Sequence, residues 1–308
     1  MHAVVVDKIS RSFGVNKVLD NLSFSIKEGS IHGFLGPNGA GKSTTMKILS
    51  GLLAPHSGEV KIFGESLTEH QKKVKKQIGI LPDELPLYYD MVVSDFLHFV
   101  ARLNGVDLLL IEQYVDECLK KTGLEENRGR IIGNLSRGYK QRVALAQAMV
   151  FKPKILILDE PTVGLDPNSV KEIRELILSL KKDHTIFLSS HILSEVSLMC
   201  NDLTIINRGK IMATGTVEEI HQQFKTKNIL VCRVHSISHL EKIQNLEYVN
   251  KLETKQLSEH EYELRVDINS TNDMRAELSE AIIKNKMGLL TFNEEKLDLE
   301  KLFLEVIK

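Results

Sequence analysis

The stretch Gly36-Pro37-Asn38-Gly39-Ala40-Gly41-Lys42-Ser43-Thr44 follows an apolar run, 31–35, and precedes a helical pattern that extends to about residue 53, where Pro55 stops it. A strand, a glycine-rich turn of the form GxxxxGK[ST] and a helix, in that order, predict a phosphate-binding loop. Glycines let backbone N–H groups turn toward a phosphate, and a helix N-terminus adds partial positive charge. All nine residues are therefore candidate cofactor-binding residues. The alternative is an ordinary glycine-rich turn before a helix.

Two side chains of this loop would carry its chemistry. We expect Lys42 to reach the β- and γ-phosphates of a nucleotide and Ser43 to bind Mg²⁺.

A second candidate site follows the aliphatic run 155–158, which predicts a central parallel strand covered on both faces. The next residues, Asp159 and Glu160, would lie at the carboxyl edge of the sheet, where α/β proteins bind ligands. Asp159 is predicted to hold the metal, directly or through water, and Glu160 to act as general base for an attacking water. Strands also commonly end in solvated acids, so this motif indicates a site only in combination with the phosphate loop.

Composition excludes some classes of function. The 308 residues hold 40 Lys and Arg against 41 Asp and Glu, so no global charge draws the chain toward nucleic acid. Three cysteines, far apart and odd in number, suit a reducing compartment and argue against a disulfide framework. Every apolar run is too short to span a bilayer, so we expect a soluble chain that would reach a membrane through a partner.

The remaining pattern predicts an α/β core that a helical segment interrupts. Strands are expected at 3–13, 18–26, 31–35 and 59–63, and helices near 93–104 and 109–121, with Gly123 as a stop. Residues 83–150 would form a helical subdomain. Strand–helix alternation then resumes, with a strand at 185–188, a helix at 193–199, two strands within 203–214 and a capping box at 216–219.

The C-terminal part reads as a separate unit, with domains expected at 1–226 and 227–308. Its pattern predicts strand 229–235, helix 238–244, strands 248–255 and 261–268, helix 273–286, strand 289–293 and helix 298–307. That order suits a small split-βαβ domain. It carries no chemical motif, so regulation, dimer support and simple structural reinforcement all stay open.

Three further stretches connect the two candidate sites to a known family. Leu135-Ser136-Arg137-Gly138-Tyr139-Lys140-Gln141-Arg142 resembles the ABC signature, and Gly164-Leu165-Asp166-Pro167 and Leu188-Ser189-Ser190-His191 are similar to the family's D-loop and switch histidine. All five motifs occur in family order over roughly residues 3–225. The chain resembles the ABC ATPases, which implies a P-loop NTPase core with an antiparallel β subdomain and an α-helical subdomain, plus here a small α+β C-terminal domain.

The resemblance also implies roles for single residues. Phe13 sits where an aromatic ring stacks on adenine. Ser136 and the backbone N–H of Gly138 would clamp the γ-phosphate of an ATP held by the other subunit. His191 would contact the γ-phosphate within its own subunit, and Asp166 would help to align the two subunits. The implied catalytic residues are Glu160, His191 and Lys42, and the implied cofactors are ATP and Mg²⁺.

Two positions depart from the family pattern. The usual signature is LSGGQ, whereas Arg137 replaces its first glycine and Tyr139 its glutamine. This variant resembles the ATPases of ABC-2-type exporters, such as those linked to gliding or copper-related systems. Asp83 stands in place of the Q-loop glutamine, where it could approach the metal but adds negative charge beside a triphosphate.

Weaker patterns favour ordinary roles. Cys232, His235 and His239 have a spacing that could suggest a metal site, but no fourth ligand is near, so scattered polar residues are the preferred interpretation. The basic run 72–76 is expected to be a solvated helix face. The stripe formed by Phe96, Phe99 and Leu103 is expected to be core packing, with a docking surface as the alternative.

The function expected from the sequence is that of an ATP-binding subunit that hydrolyses ATP at a head-to-tail homodimer interface. It would drive transport, specifically export, through an integral membrane permease subunit, from the cytoplasmic inner face of the cell membrane and without nucleic acid. The alternative is a soluble ABC ATPase acting on nucleic acid or the ribosome, but such chains usually carry two cassettes, long coiled coils or zinc sites. A regulator without turnover is opposed by Lys42, Asp159, Glu160 and His191.

Overall fold

The computed structural model describes residues 1–223, 228–270 and 272–294. These fall into two compact units that divide after Ile220. The predicted domain boundary between 226 and 227 and the predicted helix 298–307 lie outside the described residues.

The first unit is built from strands and helices in alternation. Its strands are β1 His2–Phe13, β2 Asn16–Lys27, β3 Ile31–Leu35, β4 Ser57–Ile62, β5 Glu65–Ser66, β6 Ile78–Leu81, β7 Ile155–Leu158, β8 Thr185–Ser190, β9 Asp202–Asn207 and β10 Lys210–Thr216. Its helices are α1 Lys42–Leu49, α2 Gln71–Lys75, α3 Val93–Leu103, α4 Ile111–Thr122, α5 Arg137–Met149, α6 Pro167–Leu180 and α7 Leu193–Met199. Helix α8, Val217–Gln223, begins in this unit and ends after the division at Ile220.

Two sheets organise this unit. The first has the order β2-β1-β4-β5 and antiparallel pairing, and the second has the order β10-β9-β3-β8-β7-β6. In the second sheet β9, β3, β8, β7 and β6 are parallel, and only β10 runs against its neighbour. Strands β3, β7 and β8 are buried at every position, as expected for central parallel strands covered on both faces. The predicted α/β class, with an antiparallel sheet and the helical group α3–α5, is confirmed.

The element bounds differ from the expected ones in a few places. Helix α1 ends at Leu49 and not near residue 53, because Gly51 adopts a left-handed φ of 68° that stops the helix earlier than Pro55 would. The short strands β5 and β6 were not predicted. Helix α4 does end at Gly123, whose φ is 65°. The capping box is also confirmed, since Glu219 N–H donates to Thr216 Oγ1 at 3.1 Å and Thr216 N–H donates to Glu219 Oε2 at 2.7 Å.

The expected core stripe on α3 is only partly correct. Phe96 is buried, but Phe99 and Leu103 are 41% and 74% exposed, so only Phe96 of the three belongs to the core. The basic run on α2 is solvated apart from the buried Val74, as predicted. Among the described residues, no helix combines the length and apolar character needed to cross a membrane.

The second unit contains one four-stranded antiparallel sheet with two helices. Its elements are β11 Asn228–Val234, α9 Leu240–Gln244, β12 Val249–Ser258, β13 Glu261–Ile268, α10 Arg275–Lys284 and β14 Leu289–Glu294. The sheet order β12-β13-β11-β14 places the third strand between the first and second, which is the split-βαβ arrangement predicted from the sequence. Its core includes Cys232, Leu264 and Ile282, all fully buried.

A buried histidine lies in the middle of the parallel sheet. His32 on β3 is 2% exposed and stacks near Phe24 and Phe187, with ring centroids 6.2 and 5.9 Å away. Its Nε2 lies 2.9 Å from Thr204 Oγ1, while Nδ1 has no hydrogen-bond partner within the described residues. Burial lowers the pKa of His32 to about 4, because a charged imidazole would be desolvated there.

This histidine makes stability depend on pH. The unfolded chain binds the proton near the ordinary pKa of 6.5, whereas the folded chain binds it only near 4, so stability is present above 6.5 and is lost as pH falls toward 4. Between pH 7 and pH 4.5 the wild-type protein should lose about 2 kcal/mol of stability through His32, and the His32→Phe variant should lack this loss. Urea unfolding at pH 7 and pH 4.5 measures it. His70→Phe removes an exposed histidine and should keep the wild-type loss; an unchanged loss in His32→Phe would refute the assignment.

Candidate nucleotide-hydrolysis site

The phosphate-loop backbone adopts a conformation that only its glycines allow. Between β3 and α1, Gly39 and Gly41 have φ values of 80° and 108°. A Cβ on Gly36 would lie 2.5 Å from the Ile206 carbonyl oxygen, and one on Gly41 would lie 2.6 Å from Leu19 Cδ2. The loop therefore packs tightly against the sheet and leads directly into the N-terminus of α1, which suits an anion.

Lys42, the first residue of α1, is buried and points back into the loop. Its Nζ donates to the carbonyl oxygens of Gly36 at 2.8 Å and Pro37 at 3.3 Å, and it lies 3.2 Å from Glu160 Oε1. The Lys42 side chain is 6% exposed, so these acceptors and the carboxylate satisfy a desolvated charge.

Glu160 is held between two basic groups. Besides Lys42 at Oε1, its Oε2 lies 3.0 Å from His191 Nδ1, the residue that follows β8. Its own backbone is left-handed, with φ of 48°, a conformation that non-glycine residues seldom adopt. Such outliers concentrate at functional sites where the surrounding contacts enforce them.

Asp159 lies beside Glu160 but is fixed by different contacts. The Ser189 hydroxyl donates to Asp159 Oδ1 at 2.5 Å and accepts from Glu160 N–H at 3.0 Å. Burial raises the pKa of Asp159, the hydrogen bonds from Ser189 and Ser43 oppose that rise, and the neighbouring carboxylates add to it. A cation placed here would favour the charged form of this carboxyl group.

Lys42, Glu160 and His191 line one cavity of about 460 Å³. Its lining includes most of the phosphate loop together with the candidate catalytic residues: Val18, Pro37, Asn38, Gly39, Gly41, Lys42, Ser43, Thr44, Asp83, Glu160, Val163 and His191. A second cavity of about 410 Å³ is lined by Ser43, Asp83 and Asp159, among others. Ser43 and Asp83 line both cavities, so the three predicted metal ligands lie close together.

The donor set formed by Ser43, Asp83 and Asp159 fits a hard cation, because Mg²⁺ prefers oxygen ligands. Within the described ranges, no three His, Cys, Asp or Glu side chains converge on a point that could hold a metal ion. A Mg²⁺ ion would therefore take further ligands from water or phosphate, as Mg²⁺ usually does.

The signature residues lie outside this cavity. Ser136 is the N-cap of α5, where its side chain accepts from Tyr139 N–H at 3.5 Å, and it is exposed. Gly138 packs against Ser169, and a Cβ there would lie 2.8 Å from Ser169 Oγ. Asp166 caps α6 by accepting from Ser169 N–H at 3.1 Å and Ser169 Oγ–H at 2.6 Å. The structure thus joins the signature to the D-loop, but not to the phosphate loop of the same chain.

Phe13, at the end of β1, is 49% exposed and is also absent from the described lining of the cavity. The Arg11 guanidinium carbon lies 5.1 Å from the centroid of its ring, so a cation covers part of the aromatic surface. Val18 on β2 does line the cavity.

The weak metal pattern near the second unit does not assemble. Cys232 is fully buried in the core, where burial raises the pKa of its thiol to about 12. His235 lies with its Nδ1 3.0 Å from the carbonyl oxygen of His260. The interpretation as scattered polar residues agrees with these positions.

Several functional contacts were not predicted. Ser189 links both carboxylates, Gln141 Nε2 donates to the Pro161 carbonyl oxygen at 2.7 Å, and Thr162 Oγ1 donates to Glu195 on α7. Ser189 lies inside the quoted stretch Leu188–His191, so its position beside the histidine was a usable signal. The other contacts join residues 20 and 33 positions apart and left no pattern in the sequence.

A phosphate loop after one parallel strand and a carboxylate pair after another define a P-loop nucleotide hydrolase. The family model described as ABC transporter matches residues 19–163. The bacitracin transport ATP-binding protein BcrA of Bacillus licheniformis is 33% identical, over 97% of this chain and 95% of that protein. The linearmycin resistance ATP-binding protein LnrL of Bacillus subtilis (strain 168) is 33% identical, over 97% and 96%. This chain belongs to the ABC transporter ATP-binding proteins.

Solved structures agree with this assignment. CbiO1 from Clostridium perfringens, part of the ABC transporter complex cbiONQ, superposes with a TM-score of 0.65 and 30% identity, over 73% of this chain and 94% of that one. An ATP-binding subunit of an ABC transporter gives a TM-score of 0.66, also at 30% identity, over 72% and 93%. The predicted family, its ATPase activity coupled to transport and its relationship to exporter ATPases are confirmed.

Ser189 provides a direct test of how the two carboxylates are held. Ser189 is fully buried, and the Ser189→Ala variant removes a hydroxyl that donates to Asp159 and accepts from Glu160 N–H. We expect it to lower the free energy of unfolding by about 2 kcal/mol and to lower kcat. Urea unfolding and steady-state ATP hydrolysis measure the two effects. Ser179→Ala, which removes a local helix contact on α6, should change neither; equal results for both variants would contradict the assignment.

Proposed function

We propose that this chain acts as a head-to-tail homodimer in which each ATP lies between the phosphate loop of one copy and the signature of the other. The observation that supports it is the division of the site. Lys42, Glu160 and His191 line the cavity, whereas Ser136 lies exposed at the N-terminus of α5, outside it. A helix N-terminus with a serine cap is suited to a phosphate, and a second copy would bring it to the cavity.

Within one copy, each predicted site residue is proposed to have a single role. Residues 36–44 cradle the phosphates, with Lys42 as the cation beside them. Glu160 acts as the general base, oriented by its contact with His191, which would also contact the γ-phosphate. Phe13 stacks on adenine, and Gly138 and Asp166 belong to the surface between copies.

Mg²⁺ completes the proposed site, held by Ser43, Asp83 and Asp159. When bound, it neutralises charge on the triphosphate and stabilises the leaving group. The raised pKa of Asp159 supports a cation at this point, because burial disfavours its uncompensated charge.

The proposed work of the dimer is export through a separate integral membrane permease at the inner face of the cell membrane. Support comes from relatives whose names refer to bacitracin transport and to linearmycin resistance, and from a structural neighbour described as part of a transporter complex. No observation on the described residues favours the alternative of a nucleic-acid or ribosome ATPase, and the balanced net charge of −1 argues against it.

The dimer is tested with the Glu160→Gln variant. Loss of the base should lower ATP turnover by at least about 100-fold, while the neutral isostere still allows ATP to bind and close the dimer. Size-exclusion chromatography with ATP should then show a dimer, and the wild-type specific activity should rise with protein concentration. Lys42→Ala is the control, which should neither bind ATP nor dimerise. A monomeric Glu160→Gln protein in ATP, with activity independent of concentration, would rule out the composite site.

The partner is tested by affinity purification of tagged Glu160→Gln protein from membranes in mild detergent. A polytopic membrane protein should co-purify, and its identity would narrow the class of cargo. The same preparation from cells lacking the tag controls for adventitious capture. Recovery of ribosomes or nucleic acid without a membrane protein would favour the alternative function.

A further inference from the structure

Helix α5 contacts the catalytic loop of its own chain through two side chains one turn apart. Arg137 Nη2 donates to the Val163 carbonyl oxygen at 3.2 Å, and Gln141 Nε2 donates to the Pro161 carbonyl oxygen at 2.7 Å. Residues four apart lie on the same face of a helix, so both contacts reach the same loop. That loop begins at Glu160 and continues to the D-loop.

The guanidinium of Arg137 lies directly over the loop backbone. A Cβ on Gly164 would lie 2.2 Å from Arg137 Nη2, and Gly164 has φ of 71°, which a side chain seldom adopts. On its other side the loop is fastened by Thr162 Oγ1, which donates to Glu195 on α7. The segment from Glu160 to Gly164 is therefore held between α5 and α7.

Stability does not account for Arg137 at this position. It is the first residue of a 13-residue helix, where a cation opposes the partial positive charge of the helix N-terminus. Its side chain is exposed, and exposed charged contacts contribute little. What the residue does provide is a direct contact between the start of α5 and the carbonyl of Val163, a residue that lines the ATP cavity.

We propose that Arg137 is a positioning residue that couples the two ATP sites of the dimer, an inference that rests on the proposed function. In that dimer the start of α5 carries Ser136 to the ATP of the other copy. The same helix end, through Arg137, holds the loop that places Glu160 at the ATP of its own copy. A phosphate that fixes α5 on one side therefore fixes the general base on the other, and the two sites turn over cooperatively.

The test compares three variants of the full-length protein. Arg137→Met keeps side-chain length but removes the charge and the donors, and Arg137→Lys restores a charged donor. Lys140→Met is the matched control: it removes one charge from the same helix at a residue that faces the Tyr89 ring, 5.4 Å away. Thermal unfolding first checks that each variant is folded. ATP hydrolysis is then measured over a range of ATP concentrations, and ATP-driven dimerisation is measured with Glu160→Gln added to each variant.

We expect Arg137→Met to lower kcat by about fivefold or more and to bring the Hill coefficient for ATP to about 1. Dimerisation of the double variant Arg137→Met/Glu160→Gln should need an ATP concentration within about twofold of that for Glu160→Gln alone, since the link acts after ATP has closed the dimer. Arg137→Lys should recover part of the cooperativity, and Lys140→Met should behave as wild type.

Three results would overturn the inference. One is an Arg137→Met protein that matches Lys140→Met in kcat and Hill coefficient, and another is a wild-type Hill coefficient of about 1. The third is loss of dimerisation in the double variant, which would mean that Arg137 acts directly on the partner's ATP. Failure of the homodimer itself is seen separately, because Glu160→Gln alone would then stay monomeric in ATP.

Discussion

The contact between Lys42 Nζ and Glu160 Oε1, 3.2 Å apart and both largely buried, is the interaction on which the site depends. Each charge is desolvated, so each needs the other, and Glu160 has His191 as a second neighbour. The sheet order makes this possible. Lys42 follows β3 and Glu160 follows β7. Strand β8 lies between β3 and β7, so Ser189 near its end and His191 just after it lie between the two charged residues. Parallel pairing places all three strand ends at one edge of the sheet, where α/β proteins bind their ligands.

The sequence could predict the parts of this site that are local. The phosphate loop and the residues Asp159 and Glu160 each combine strand, turn and functional side chain within a few positions, so their local structure follows from short-range pattern. It could not predict the contact of Gln141 with Pro161, because side-chain contacts across 20 residues depend on how helices pack. The end of α1 was misplaced for a related reason: Gly51 and Pro55 both signal a stop, and only the structure shows which acts.

In the second unit the sequence predicts the fold but not the function. The order of its strands and helices was enough to predict the split-βαβ fold. Within β11, the alternating residues Leu230, Cys232 and Val234 all lie in the core, as expected for a strand with one buried face. Its role could not be predicted, since a fold of this kind serves many functions and only a site identifies one. Within its described residues the burial of Cys232 removes the one pattern that resembled a site.

The charges around the cavity constrain how ATP can enter. Lys42 lines the first cavity together with the carboxyl groups of Asp83 and Glu160, and Asp159 lines the second cavity, which Asp83 also lines. A triphosphate adds further negative charge, which these carboxyl groups would repel at short range, all the more strongly where burial lowers the dielectric constant. A divalent cation that arrived with the nucleotide would remove that repulsion and would give Asp159 the countercharge that its burial demands. Asp83, which adds a charge where the family pattern has a neutral glutamine, strengthens this requirement. In the proposed site, this arrangement would favour the metal–nucleotide complex over free ATP as the species that binds.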